Sequence, residues 1–538
     1  MVRYDKNDAI LANIAAAFEK RLRTPCDVTL EIDQTLGEYT GVVEDGRIAA
    51  GSHSQLMEAA GRFLRNPAVR GSFPSQKPLC GMYFASHFGN YTDEAPLEEL
   101  YEYIDDLGFW GVNTLKMWLD LHHFRNMGEA RHKLERQKAL YRHAKSMGMQ
   151  IWLTTISNEA FRDSVRALRA DWTCGHDGYV YPLNDHFHVE ICPSKPGGLD
   201  LIKHYRRAML EEFRDVEFDL ISISPYDEGG CSCSACAPWG GNGYLRTVRE
   251  LIPIYKEYFP NARFVMSAWQ FGTFLENKTV EFERLADVLH NDEGFRDVAY
   301  LVSEPQYAQY AVTHDMGRPI IGFPEISMFR ASPWGGYGAN PMPGKIGELY
   351  DKYGDKLSGI MPYSEGLYED INKILVLRAH RDGSPTAKTL REYLGYELRI
   401  EGELLERTAR AVEAMEATLA RKWDRTTHRV EILDPEKIPF IEKEITEIHA
   451  LLPADVQKSR RWLLLYYRAL VDGALLRAGF ERSEEVREIY RRIMHLCHLE
   501  NATGVYQRPD VDDVAITEVY PDSEESDIEP TPEAQNQN

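Results

Sequence analysis

The sequence predicts an α/β protein built on a (β/α)₈ TIM barrel, preceded by a small α/β domain and followed by a helical domain. Three observations carry that expectation. From Cys80 to Asp382 short apolar runs alternate with amphipathic stretches at the spacing of βα units. There are eight such runs, the number a closed parallel barrel requires. The first run is not followed by the Gly-rich phosphate turn that an open, doubly wound sheet would normally carry.

The elements follow in chain order. An amphipathic helix is expected over residues 8–22, then strands at 27–32, 39–43 and 47–50, the last two joined by an Asp45-Gly46 hairpin turn. A second helix over 52–64 ends before Pro67, and this small α/β unit occupies residues 1–75. Barrel strands are expected at 81–85, 114–118, 151–155, 220–224, 264–268, 299–302, 320–323 and 359–361. Helices at 97–107, 132–147, 199–213, 245–258 and 280–289 separate most of them, and the barrel occupies 76–382. Residues 383–505 read as helical only, with helices at 386–398, 401–422, 438–451, 453–480 and 484–498 forming a domain or a cap on the barrel. Beyond Arg508 there is no Lys or Arg while Asp, Glu and Pro abound, so 506–538 reads as an acidic, disordered tail.

Composition narrows the function. Of the 538 residues 43% are apolar and 27% charged, ordinary for a soluble protein with a large core. The net charge of −22 and the lack of a basic run argue against nucleic acid and anionic membranes as partners. The N-terminus mixes charges into its apolar positions, unlike a signal peptide, and no stretch approaches a membrane span. Eight cysteines in a chain of this length do not make a disulfide framework. A reducing, cytoplasmic location is the expectation, and the sequence leaves a homo-oligomer open.

In a barrel, chemistry collects where the strands end, because the βα loops converge on one mouth. Strand one runs into His87 and Asn90, strand two into Trp118, Asp120, His122 and His123, and strand four into Asp227-Glu228. Strand five ends at Trp269-Gln270, strand six at Glu304, strand seven at Glu325 and strand eight at Tyr363-Ser364-Glu365. Strands four, six, seven and eight thus end on a carboxylate candidate, with aromatic residues beside them. Cleavage of a glycosidic bond needs this mixture: one carboxylic acid protonates the leaving oxygen, and a second carboxylate attacks or activates water. His87, Asn90, Trp118, Trp269, Trp334 and Tyr363 are the expected sugar-binding residues, since aromatic faces stack on sugar C–H surfaces. Glu228 and Asp227 are the leading catalytic candidates, because Gly229-Gly230 after them permit a tight turn into the mouth. Glu325 and Glu365 compete for the second role, and Glu304, followed by Pro305, is the weakest.

The strand-end Asp227-Glu228 pair, with a small α/β domain before the barrel, resembles the β-N-acetylhexosaminidase family and its relatives, the α-glucuronidases. That resemblance implies that Glu228 is the acid/base and that Asp227 orients a substrate acetamido group whose oxygen attacks the anomeric carbon. The family's His-x-Gly-Gly stretch is replaced by Ile223-Ser224-Pro225-Tyr226. An acid on strand four opposed by a carboxylate on strand seven also resembles the large group of retaining barrel glycosidases. There the implied roles are acid/base for Glu228 and nucleophile for Glu325, with Asp227 standing where that group usually has Asn.

Cys231-x-Cys233-x-x-Cys236 has a metal-binding spacing, and Cys192 or Cys174 could complete a four-thiolate structural zinc site. No cofactor is expected for the catalysis itself. Two rivals stand beside an exo-acting glycosidase: a metal-dependent barrel enzyme using histidines such as His122, His123, His186 and His188, and a non-catalytic carbohydrate-binding protein.

Overall fold

Asp8 starts the first helix, Ala9–Arg21, by accepting the Leu11 N–H on its carboxylate at 2.9 Å. The computed structural model describes residues 1–86, 90–171, 189–226, 230–304, 309–327, 339–419, 421–424, 429–432, 434–481 and 483–500. Five strands pair beside this helix: β1 (Val2–Arg3), β2 (Val28–Ile32), β3 (Thr40–Glu44), β4 (Arg47–Ala50) and β5 (Gly71–Pro74). Their order is β1-β2-β4-β3-β5, and β3–β4 is the expected antiparallel hairpin. The two edge strands were not expected from sequence, being short and weakly apolar. The second helix, His53–Arg65, lies against the helix Leu97–Trp110 so closely that a Cβ on Gly61 would meet the Phe109 carbonyl oxygen at 1.8 Å.

The barrel strands are β6 (Leu79–Tyr83), β7 (Thr114–Trp118), β8 (Gln150–Ile156), β9 (Leu220–Ser224), β10 (Arg263–Ser267), β11 (Val298–Ser303) and β12 (Ile320–Gly322). Then come β13 (Glu325–Ser327), β14 (Gly359–Ile360) and β15 (Tyr363–Ser364). Strands β6 to β12 and β14 close an eight-stranded parallel ring, each pairing with its neighbour in the chain and β14 returning to β6. Strands β13 and β15 pair with each other as upward extensions of the seventh and eighth staves. Helices pack outside the ring, so the strands are buried on both faces and read as nearly continuous apolar runs.

Inside the ring a second apolar cluster is separate from the main core, and includes Leu79, Tyr83, Trp118, Trp152, Phe323, Met361 and Tyr363. These residues follow the two-residue pleat of each strand, as inward-facing barrel positions must.

After the barrel helix Asp370–Asp382 the chain is helical, with two departures from expectation, one being that the helix expected over 453–480 begins only at Arg460. The helix predicted over 401–422 stops at Ala414, and Arg421–Asp424 pairs antiparallel with Arg429–Ile432. Alternating Val430 and Ile432 with Thr426 and Thr427 nearby favour strand over helix, which the longer-range helical pattern obscured. The helix Arg460–Arg477 docks on the barrel: Arg461 donates to Asp370 at 2.7 Å and to Asp106 at 2.9 Å. The expected tail, 506–538, lies outside the described residues.

Candidate active site

The middle of the barrel is aromatic. Tyr83 stacks on Tyr363 with ring centroids 5.5 Å apart and planes 20° apart, and Phe323 lies 5.2 Å from Tyr363. Lys116 enters this layer from β7, 4.3 Å from the Phe323 ring centre, 4.9 Å from that of Trp152 and 5.1 Å from that of Tyr83. Among the described residues it has neither a hydrogen-bond acceptor nor a carboxylate partner, and burial alone pushes its ammonium down to about 7.

One layer higher stand the carboxylates. Glu325 is in register with Tyr363, and parallel partners point to the same face, so Glu325 faces inward above Phe323. Glu365 is turned to the same side, because the Tyr363 hydroxyl donates to its Oε1 at 2.5 Å. Glu304 directly follows β11 two residues after the inward-facing Val302. All three are at least 93% buried, with relative exposures of 2% for Glu304, 3% for Glu325 and 7% for Glu365. The structure therefore brings the expected carboxylates of strands six, seven and eight to one end of the barrel, above an aromatic floor.

Trp269 packs edge-on against Phe323 at 5.5 Å and against Tyr363 at 6.0 Å. The next residue, Gln270, has φ +55°, a left-handed turn that ends the fifth stave. The Trp269 indole N–H is buried without an acceptor among the described residues, a donor available to a ligand. Trp118 belongs to the same inner cluster, and its indole N–H is taken up by Glu159 Oε2 at 3.1 Å. Asn90 is occupied by its own loop. Its Oδ1 accepts from Thr92 Oγ1 at 2.7 Å and from the Asp93 N–H at 3.2 Å, while Nδ2 donates to the Ala85 carbonyl at 3.0 Å. His87, Asp227, Glu228, Trp334, Cys174, His186 and His188 lie outside the described residues.

Both flanks of the Asp227-Glu228 segment are held. On the entering side, the Tyr226 hydroxyl donates to the buried Glu281 carboxylate at 2.6 Å, and Glu281 also accepts the Gly240 and Gly272 N–H groups at 2.7 and 2.9 Å. One carboxylate so ties together the loops after β9 and β10. On the leaving side, Asn158 takes both backbone groups of Gly230: Oδ1 accepts its N–H at 2.9 Å and Nδ2 donates to its carbonyl at 2.9 Å.

Sequence reasoning missed Glu159, although it ends the third stave as Glu325 ends the seventh. The same strand-end rule, applied to Ser157-Asn158-Glu159 after β8, would have found it. Glu159 pairs with the buried Arg206 at 3.1 Å; burial pushes its carboxyl up to about 7, against the pull of Arg206 and Trp118. A second missed carboxylate, Glu369, sits four residues beyond Glu365 and accepts from Asn340 Nδ2 at 2.8 Å and Ser327 Oγ at 3.3 Å. Burial raises it to about 7 as well.

The histidines of strand two gather around one acid. Asp120 contacts His122 Nδ1 and, at 2.9 Å, His123 Nε2. Burial pushes the Asp120 carboxyl up, but the two imidazoles outweigh it and hold the group below the usual carboxylate range.

Neither a family model nor a curated protein matches the sequence. Solved structures do match in shape. A family 89 glycoside hydrolase from Clostridium perfringens, in complex with its substrate GlcNAc-alpha-1,4-galactose, superposes with a TM-score of 0.63 at 13% identity over 92% of this chain. A family 115 4-O-methyl-alpha-glucuronidase with specificity for decorated arabinogalactans gives 0.60 at 11% identity, covering 98% of this chain and 81% of its own. A family 138 enzyme targeting pectin rhamnogalacturonan II gives 0.55 at 10% identity, covering 92% and 74%. The chain has the fold of these hydrolases. It spans 65% of the length of the Clostridium perfringens protein, and at these identities the likeness is one of fold.

Proposed function

We propose that this chain is a glycoside hydrolase that removes a terminal sugar from a carbohydrate. The observation that carries the reading is the stack at the mouth: Glu304, Glu325 and Glu365, from three successive staves, above the Tyr83–Phe323–Tyr363 floor. A sugar ring resting on aromatic faces beside carboxylates has what an oxocarbenium-like transition state needs. The shared fold with hydrolases of three glycosidase families supports the same reading.

In this proposal Glu228 protonates the leaving oxygen. Glu325, three staves round the ring from the fourth, is the second carboxylate; Glu365, on the stave opposite the fourth, is its competitor. Trp269 offers its indole N–H to a sugar hydroxyl. The chemistry needs no cofactor. A reducing, cytoplasmic setting belongs to the same reading, and the free thiols would suit it.

The names of the structural relatives suggest the substrates to try first, aryl α-N-acetylglucosaminides and α-glucuronides; the resemblance carried by Asp227-Glu228 adds β-N-acetylhexosaminides. Release of a single terminal sugar from one of these, abolished by Glu228→Gln, is the expected result. Saturable sugar binding with no hydrolysis of any substrate, natural oligosaccharides included, would replace the proposal with the non-catalytic binding protein. Full hydrolysis by metal-free protein would exclude the metal-dependent rival.

A further inference from the structure

The cysteines of the β9 loop meet a fourth from a distant segment. Cys192 Sγ lies 3.8 Å from Cys233 Sγ and 3.8 Å from Cys236 Sγ, and the four sulfurs of Cys192, Cys231, Cys233 and Cys236 all fall within 4.8 Å of one another. A disulfide would bring two of them to about 2.05 Å. A tetrahedral zinc ion with Zn–S bonds of about 2.3 Å sets its ligand sulfurs roughly 3.8 Å apart along each edge. The two separations from Cys192 match the edge of that tetrahedron, and the remaining ones stay within 4.8 Å.

The surroundings also suit a thiolate site. The Asp171 N–H donates to Cys231 Sγ at 3.3 Å, and Arg246 Nη2 lies 3.7 Å from Cys236 Sγ, adding positive charge beside the thiolates. Ser194 Oγ sits 3.0 Å from Cys236 Sγ and itself accepts from Arg246 at 2.6 Å. Donors of this kind orient metal-bound sulfurs. The Cys233–Cys236 turn is closed by the Cys236 N–H on the Cys233 carbonyl at 2.8 Å, which folds both thiols toward one centre. Cys192 is fixed on the opposite side by its N–H on the Leu168 carbonyl at 2.9 Å, and Gly198 lies so near that a Cβ there would meet the Cys192 carbonyl oxygen at 2.0 Å.

We infer that Cys192, Cys231, Cys233 and Cys236 hold one structural zinc ion. All four coordination positions are taken by sulfur, so the ion is closed to substrate and braces the protein instead of doing chemistry. It joins the segment after β8, which Cys192 brings in, to the loop that leaves Asp227-Glu228 through Gly230. Only this bracing consequence rests on the glycosidase reading; the site itself is independent of it.

The test uses the full chain without a polyhistidine tag. Elemental analysis should find one zinc per chain, released in stoichiometric amount by a thiol-specific mercurial. Protein grown with cobalt in place of zinc should show the thiolate-to-cobalt charge-transfer and visible bands of a tetrahedral four-sulfur site, a readout that needs no variant and no activity. Cys192→Ser with Cys236→Ser should lower bound zinc to background. Folded wild-type protein with well under one zinc per chain, disulfides among these cysteines, or zinc retained at full occupancy by the double variant would each overturn the site. A zinc-replete protein inactive on every glycoside would refute the glycosidase reading and leave the site standing.

Discussion

Asn158 holds Gly230 by both backbone groups, its amide oxygen on the N–H and its amide nitrogen on the carbonyl, each at 2.9 Å. Nδ2 also reaches the Ile191 carbonyl at 3.0 Å, so one buried side chain joins the end of β8, the segment leading to Cys192 and the loop after β9. Asn158→Ala strands buried backbone groups at a cost of about 1–3 kcal/mol each. The expected result is a lower melting temperature together with a tenfold or greater fall in kcat, KM changing less. A variant that melts early yet keeps wild-type kcat at a temperature where it is folded would confine Asn158 to stability.

Glu228→Gln should lower turnover by about 10² or more on substrates with poor leaving groups, and much less on activated aryl glycosides that need little protonation. The comparison of the two substrate classes is the measurement. Equal losses on both would remove Glu228 from the acid role.

How much of this was open to reading from sequence differs by element. Strands β7 and β9 start and end at the expected residues, because their apolar runs are bounded sharply by Asn113 and by Pro225. The inward placement of Glu325 and Glu365 follows from where the seventh and eighth runs stop. What the sequence could not supply is partnership across the chain. Cys192 is the expected partner of Cys231, Cys233 and Cys236, with Cys174 as the alternative, and the packing of the segment after β8 brings Cys192 to the other sulfurs. Lys116 passed unnoticed because a lysine within an apolar strand gives no sign of which face it takes. Asn90 read as a sugar ligand from its position at a strand end, whereas its amide closes the local helix cap.

The second carboxylate is decided by comparing Glu325→Gly with Glu365→Gly. If Glu325 is the nucleophile, its removal should abolish hydrolysis of natural substrate, and azide should restore turnover of an activated glycoside. Azide attacks from the vacated face and gives an inverted glycosyl azide in either role, so the anomer first released by the unaltered enzyme decides: retained if Glu325 is a nucleophile, inverted if it is a base. Tyr363→Phe removes the hydroxyl on Glu365 and should matter in the same proportion as Glu365 itself, by about tenfold if Glu365 touches the reacting sugar. Should neither glutamate matter while Asp227→Ala is inactive, an acetamido group of the substrate becomes the better nucleophile.

Lys116 gives a prediction that does not depend on the substrate. Burial lowers its folded-state pKa from 10.5 to about 7. Between these values the unfolded chain binds more protons than the folded one, so this residue makes stability rise with pH across that window. Below about 7 the ammonium is charged in both states and its burial cost is fully present; near 10.5 the cost has gone. Faces of Tyr83, Trp152 and Phe323 offset part of that cost, at roughly 0.5–2 kcal/mol for a cation over aromatic rings. Lys116→Met fills the same space without the charge. It should therefore raise the melting temperature at pH 6 by a few degrees, with the gap to wild type closing as the pH is raised to 10. Melting curves of both proteins at unit pH steps make the test. A gap that stays constant across the range would mean that Lys116 does not titrate there, and a variant less stable than wild type at pH 6 would mean that the aromatic cage more than compensates the buried charge.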